Sequence, residues 1–273
     1  MRFGLDVSQH QLTWAEIRSR AELAEDAGFE GVWVFDHFTA LYADPDGPCL
    51  EGWTLLAALA AATARVRLGT LVTGMTHRHP SVLATEVVTV DHVSEGRVEC
   101  AVGAAWNEDE HRELGIAFPT TRERMERLEE GVQVLQLLMS GERVSFDGAH
   151  YRLDGALYRP RPVQRPHPPI WIGADGIRRS LPIVGRHADV WHSNGRDLPA
   201  KWDVVRAAAE DAGRDPEAIV RATSLSISEG WDDVRRAFDG YRDAGVTYLV
   251  VSWPGQGRGR VEEFVSTVAP TLG

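Results

Sequence analysis

Histidines, carboxylates and glycines gather in four short stretches of this chain, each directly after a run of β-branched or apolar residues. In Phe35-Asp36-His37-Phe38, an imidazole whose proton affinity a carboxylate can tune has the makings of an acid–base group; the same pair also serves as a hydrogen-bonded structural unit. In Thr73-Gly74-Met75-Thr76-His77-Arg78-His79-Pro80, Gly74 permits a backbone bend and two histidines flank an arginine, which reads as a basic, hydrogen-bonding pocket rim. Gly103-Ala104-Ala105-Trp106-Asn107-Glu108-Asp109-Glu110-His111 opens with residues small enough for a flat ligand to approach the backbone. Its acids read mainly as solvated surface at a helix start, although Glu108 and His111 stand at a spacing that suits a metal on a helix. Gly173-Ala174-Asp175-Gly176 leads from a strand into a helix, where free N–H groups suit an anion such as phosphate. Gly255-Gln256-Gly257-Arg258-Gly259-Arg260 offers a second glycine-rich loop, for an anionic tail or as a plain connection. No metal is assigned, because the His77/His79 pair lacks a carboxylate at a suitable spacing.

The elements that must position these groups follow from alternation of short apolar runs and longer helical patterns. Strands are expected at Phe3 to Ser8, Gly31 to Phe35, Val66 to Val72, Val98 to Val102, Ile170 to Ile172, Ala188 to Trp191, Ile219 to Ser226 and Val246 to Ser252. Helices are expected between them. Thr13 with Glu16 forms a capping box, Gly28 stops the first helix, and Pro80 starts another. An amphipathic helix spans about Thr121 to Met139, one begins near Ile177, and the last covers about Arg260 to Val268. The rhythm breaks only between Ser140 and Arg165, where Phe146 to Tyr151 reads as a small hairpin. Eight strands alternating with helices give an α/β fold, a (β/α)8 TIM barrel with a short insertion between strands 4 and 5, and residues 1–273 form one domain. The strands are apolar throughout, as expected when both faces are covered. In such barrels the loops after the strands carry the chemistry, and the four stretches lie there.

Composition narrows the function. A chain of 273 residues with 43% hydrophobic and 25% charged residues is an ordinary globular protein. A formal charge of -11 argues against nucleic-acid or anionic-membrane partners. No apolar run reaches the length of a membrane helix, and Met1 to Val7 reads as a strand and not a leader. Cys49 and Cys100 are expected as free thiols, which fits a cytoplasmic protein. Lys201 is the only lysine among 29 basic residues, which reads as codon bias. No Walker loop, nucleophile elbow, His-Glu-x-x-His or paired Cys-x-x-Cys occurs, and no G-x-G-x-x-G either, since Ala104-Ala105-Trp106 follows Gly103 in place of its later glycines. Chemistry the side chains do not obviously supply points to an organic cofactor.

Several stretches together resemble the luciferase-like monooxygenase superfamily, and within it the branch using the deazaflavin coenzyme F420. They are Asp36-His37-Phe38, Leu68 to Thr73 with Arg78-His79-Pro80, Gly103 to His111, Pro160 to Pro166 before Pro169 to Gly173, and Gly185 to Trp191. The resemblance spans roughly residues 1–195 and is weaker beyond. It implies an oxidoreductase with the cofactor ring in the barrel mouth, a small-molecule substrate and a homodimer. It also implies a strand-3 bulge with a non-proline cis peptide near Leu71-Val72, backing one ring face. By the same analogy His37, with Asp36 beside it, handles the proton near the reactive ring carbon. Leu71, Val72, Thr73, Gly103, Ala104, Ala105 and Asn107 would line the cofactor, and Gly173, Ala174, Asp175 and Gly176 would hold its phosphate. Trp106, His111 and His77 would border the substrate. Where the family's sugar-phosphate dehydrogenases place a glutamate, this chain has Trp106, which speaks against a sugar-phosphate substrate. Alternatives on the same barrel are a reduced-FMN-dependent monooxygenase and a non-catalytic flavin-binding barrel. A metal-dependent hydrolase using His37, Glu108 and His111 is a further alternative.

Overall fold

Eight parallel ladders close on themselves in the computed structural model, which describes residues 1–42 and 44–272. In chain order the elements are β1 (Arg2–Asp6), α1 (Trp14–Asp26), β2 (Gly31–Val34), α2 (Gly52–Ala62), β3 (Arg67–Thr70), β4 (Thr73–Gly74), α3 (Pro80–Val93) and β5 (Val98–Gly103). They continue with α4 (Glu108–Leu114), α5 (Thr121–Met139), the hairpin β6 (Val144–Asp147) and β7 (Arg152–Ala156), then β8 (Ile170–Gly173) and α6 (Ser180–His187). The chain ends with β9 (Val190–Ser193), α7 (Leu198–Asp211), β10 (Val220–Leu225), α8 (Trp231–Asp243), β11 (Tyr248–Val251) and α9 (Arg258–Glu263). Around the barrel the neighbours run β1, β2, β3, β5, β8, β9, β10, β11 and back to β1. This is the expected (β/α)8 barrel, with its hairpin insertion between β5 and β8.

Local chemistry places the helices as the sequence suggests. The Thr13 hydroxyl accepts from the Glu16 N–H while Glu16 accepts from the Thr13 N–H at 2.8 Å, so the capping box forms. Gly28 takes φ +80° to end that turn, a conformation only glycine enters freely. Pro80 sits in the first turn of α3, and the preceding His79 ring accepts from the Ser81 N–H at 3.1 Å.

Several boundaries differ from expectation, among them the sixth strand, expected from Ala188 to Trp191 and found at Val190–Ser193. The run Val66 to Val72 does not stay one strand. The chain leaves β3 at Thr70, passes through a cis Leu71–Val72 peptide, and re-enters the sheet as β4 against Val102 and Gly103. The helix expected from Ile177 begins at Ser180, because residues 174–176 form a loop lining the mouth, residues 177–179 a turn, and Ile177 is exposed. The last helix starts at Arg258, then widens over Phe264–Val268.

Apolar burial falls into two regions. The larger lies between strands and helices; the smaller fills the barrel and centres on Trp33, Trp171 and Tyr248. The indoles of Trp33 and Trp171 lie 4.4 Å apart between ring centroids, and the Trp33 Nε1–H donates to the Tyr248 hydroxyl at 3.2 Å. Glycines make the room: a Cβ on Gly4 would come within 2.5 Å of Trp33, and one on Gly69 within 2.5 Å of the same ring. Leu71 and Val72 pack onto this aromatic plug. Above this plug the barrel opens at the C-terminal ends of its strands.

Candidate active site

The opening above the plug is a cavity of about 420 Å³, within the roughly 300–1,000 Å³ usual for small-molecule sites. Its wall is built from the ends of β2, β4, β5 and β8. Leu71 and Val72 present the bulge as an apolar shelf, and Gly103, Ala104, Ala105 and Trp106 follow beside it. The shelf fits its surroundings because two neighbours lack side chains. A Cβ on Gly103 would lie 2.8 Å from Val72, and one on Gly173 would lie 3.1 Å from it. Ala105 holds φ +59°, the left-handed region that favours glycine. Trp106 is 64% exposed and stands edge-on to His37 with centroids 5.7 Å apart.

His37 is oriented by a residue that sequence reasoning missed. Glu110, at the third position of α4, turns inward and is almost wholly buried. One of its oxygens receives the Phe38 N–H at 2.8 Å and the Thr39 N–H at 3.1 Å; the other stands 2.8 Å from His37 Nδ1. Burial opposes the charge on Glu110, but these bonds and the His37 ring outweigh it and hold the carboxyl at about 2. The carboxylate beside Nδ1 makes that nitrogen the donor and fixes the ring, with Nε2 on its far side, in the lining of the cavity. The geometry suits a proton acceptor in a fixed orientation.

Behind this pair lies a second layer. Asp36 is buried and does not line the cavity. It accepts both Arg78 terminal nitrogens, at 2.5 and 2.9 Å, and lies 3.4 Å from His77 Nδ1. Burial would raise its pKa, yet His77 and Arg78 hold it below the ordinary carboxylate range. The expected role of Asp36 beside the His37 imidazole is thereby corrected, since its charge is committed to Arg78. His77 lines the cavity, with its Nε2 buried, unbonded and 3.8 Å from Glu110.

His111, expected at the substrate, stands behind His77 instead. Its Nε2 pairs with the Thr76 hydroxyl at 2.8 Å, its Nδ1 with the Asn107 carbonyl at 2.6 Å, and its ring packs on Phe118. Asn107 caps α4, accepting the Glu110 N–H at 3.3 Å, and Thr73 is buried where its hydroxyl accepts from Trp53 Nε1 at 2.9 Å. Neither borders the cavity. The set His37, Glu108 and His111 does not assemble, because Glu108 faces solvent. His77, Glu110 and His111 do bring ligand-type atoms within 4.8 Å of one another. Both His111 nitrogens and both Glu110 oxygens already have protein partners there.

The loop from Gly173 to Gly176 lines the cavity together with Ser180. The Gly176 N–H donates to the Ser180 hydroxyl at 3.0 Å. Asp175 turns away from any anion, accepting from Lys201 Nζ at 2.6 Å, the Ser193 hydroxyl at 2.7 Å and the Asn194 N–H at 3.1 Å. The sole lysine, read from sequence as a compositional accident, thus clamps this loop to α7. Gly255 to Arg260 packs elsewhere, with Arg260 over the Trp231 ring.

Comparison with known proteins bears on the family and the fold. Residues 1–260 match the family model described as luciferase-like monooxygenase, so the likeness extends well past the residue 195 expected from motifs. An F420-dependent glucose-6-phosphate dehydrogenase of Nakamurella multipartita is 33% identical over 246 residues, 88% of this chain and 71% of that protein. An F420-dependent hydroxymycolic acid dehydrogenase of Mycobacterium tuberculosis is 32% identical over 243 residues, 88% of this chain and 66% of that protein. Among solved structures, an F420-dependent secondary alcohol dehydrogenase in complex with an F420–acetone adduct superposes with a TM-score of 0.89 at 20% identity, over 100% of this chain and 99% of that one. At that identity the superposition speaks for the fold.

Proposed function

Because the chain belongs to the luciferase-like monooxygenase family, we propose that it is an oxidoreductase that binds F420 and moves a hydride between that deazaflavin and a small organic substrate. F420, when bound, supplies a ring carbon that carries a hydride as a two-electron unit. The observation that carries the reading is one cavity in which a flat apolar shelf, Leu71 and Val72, shares its lining with a histidine oriented by a buried carboxylate. The residues present fit a flat cofactor. Leu71 and Val72 would back its ring, and the small residues Gly103 to Ala105 would let it approach the backbone. Gly173, Ala174 and Gly176, with Ser180 and the exposed Arg178 and Arg179, would hold its phosphate. His37 would hold or release a proton at Nε2 while Glu110 keeps the ring from turning. Trp106 closes the rim with an apolar face where a sugar-phosphate enzyme of this family would offer a glutamate.

Titrating the purified protein with F420 and with FMN, and following cofactor fluorescence, tests the cofactor directly. F420 is expected to saturate at the lower concentration; tighter binding of FMN overturns the proposal. Replacing the proton acceptor, His37→Ala, should lower F420 turnover with a panel of secondary alcohols by roughly a hundredfold or more. F420 affinity should change by no more than about threefold. Undiminished turnover would leave His37 a structural residue.

A further inference from the structure

The mouth has a second chamber, of about 970 Å³, that shares Phe35, Tyr42, Leu71, Val72, Trp106 and the loop residues Gly173, Ala174 and Asp175 with the first. Its far side is built from the ends of four other strands. Asp6 comes from β1, His192 from β9, Ser224 from β10, and Ser252 follows β11, with Arg20 and Trp253 at the edge. Nothing in the shelf or the His37–Glu110 pair uses these residues.

Asp6 stands out among them. One carboxylate oxygen accepts the Ser8 N–H at 2.8 Å; the other has no partner among the described residues. The side chain is largely enclosed yet lines the chamber, so the open oxygen is presented to whatever enters. Arg20 is the only lysine or arginine lining the chamber, and its guanidinium lies 4.0 Å above the Trp253 ring, too far from Asp6 for an ion pair. His192 shares a 3.3 Å contact with the Ser224 hydroxyl. A phosphate dianion would meet one cation and two carboxyls, Asp6 and Asp175, here, which is a poor site for it. A hydroxyl or carbonyl oxygen would meet a carboxyl, two serines and a neutral ring.

We propose that this chamber holds a neutral oxygen of the substrate other than the one His37 serves, that Asp6 is the residue that reads that oxygen, and that the group it reads is a hydroxyl or a ketone carbonyl. Calling the ligand a substrate rests on the oxidoreductase reading above; the binding itself does not need the cofactor.

Burial pushes the Asp6 carboxyl up to about 6, against the pull of the Ser8 N–H and Arg20. Below that pH Asp6 is a donor suited to a ketone, and above it an acceptor suited to an alcohol. The groups that face it do not share this window. Arg20 stays charged, burial holds His10 and His192 at about 4, and Asp175 is tied to Lys201.

The test is binding of cyclohexanol and cyclohexanone to the cofactor-free protein by saturation-transfer NMR, at about pH 5 and about pH 8. Cyclohexanone should bind about tenfold more tightly at the lower pH and cyclohexanol about tenfold more tightly at the higher. Asp6→Asn should flatten both dependences. Arg20→Gln, which keeps Asp6 but removes its nearby cation, should move the crossover to higher pH, and this serves if the Asn variant fails to fold. The proposal falls if both ligands respond to pH in the same direction, if the responses survive Asp6→Asn, or if glucose 6-phosphate displaces cyclohexanol. Failure of F420 to bind with the opposed responses intact would overturn the oxidoreductase reading and leave this site standing.

Discussion

Glu110 ties the His37 ring to the Phe38 and Thr39 N–H groups, and its charge has a thermodynamic signature. Its folded pKa of about 2 lies below the usual carboxylate value, so the ionised form is favoured by folding. The resulting stability is fully present above the unfolded pKa and is lost as pH falls from about 4.5 towards about 2. Glu110→Gln should therefore cost a few kcal/mol in urea unfolding at neutral pH and show a shallower loss of stability on acidification than the parent. An unchanged acid limb would mean that Glu110 is not the group responsible. The sequence displayed three successive acids, Glu108, Asp109 and Glu110, without saying which one turns inward. That choice depends on where α4 begins. Asn107 caps it and accepts the Glu110 N–H, which places the inward-facing acid at the third helical position. An asparagine followed three residues later by an acid was the available signal. His37 was legible from its place after a strand; its orienting partner, 73 residues away, was not.

Among the elements, the bulge between β3 and β4 shapes the cavity, and it is held from outside the barrel. Trp53 on α2 donates its Nε1–H to Thr73, whose hydroxyl lies 2.8 Å from that of Thr70, which in turn reaches the Ala101 carbonyl of β5 at 3.3 Å. One indole thus fixes both sides of the Leu71–Val72 shelf. Trp53→Phe keeps most of the buried area but leaves the Thr73 hydroxyl short of a donor, at a cost of about 1 kcal/mol. Differential scanning calorimetry should show Tm lower by about 2–4 °C, and F420 affinity should weaken several-fold. A lower Tm with unchanged affinity would show that the shelf does not depend on this anchor. Hydropathy alone could not reveal the interruption, because Val66 to Val72 is apolar on both sides of it; family resemblance supplied the position of the cis peptide. The start of α6 was hidden for a related reason. Loop residues 174–179 are held by contacts with β9 and α7, through Asp175 and Lys201, that leave no local pattern.

At the scale of the whole molecule, the count of strands was readable because alternation is a local property repeated eight times around the barrel. What fills the barrel was not readable, since it depends on glycines of three strands facing aromatic rings of others. Trp33, Trp171 and Tyr248 form the floor on which the Leu71–Val72 shelf rests, so packing there is coupled to the shape of the site above. Gly69→Ala tests that coupling. Its Cβ would lie 2.5 Å from Trp33 Cζ3 and 3.2 Å from the Cβ of Glu99. Trp33 has little room to retreat, because Trp171 lies on one side and Tyr248 stands edge-on at 6.2 Å. Overpacking of this kind costs about 1–3 kcal/mol. Gly240→Ala is the matched control: it lies within α8, nothing stands within 4 Å of the added Cβ, and alanine in a helix is favoured by about 0.5–1 kcal/mol. Urea unfolding should move the two variants in opposite directions. If Gly69→Ala unfolds with the parent, the floor yields to an extra methyl, and the shelf above it is not fixed from below.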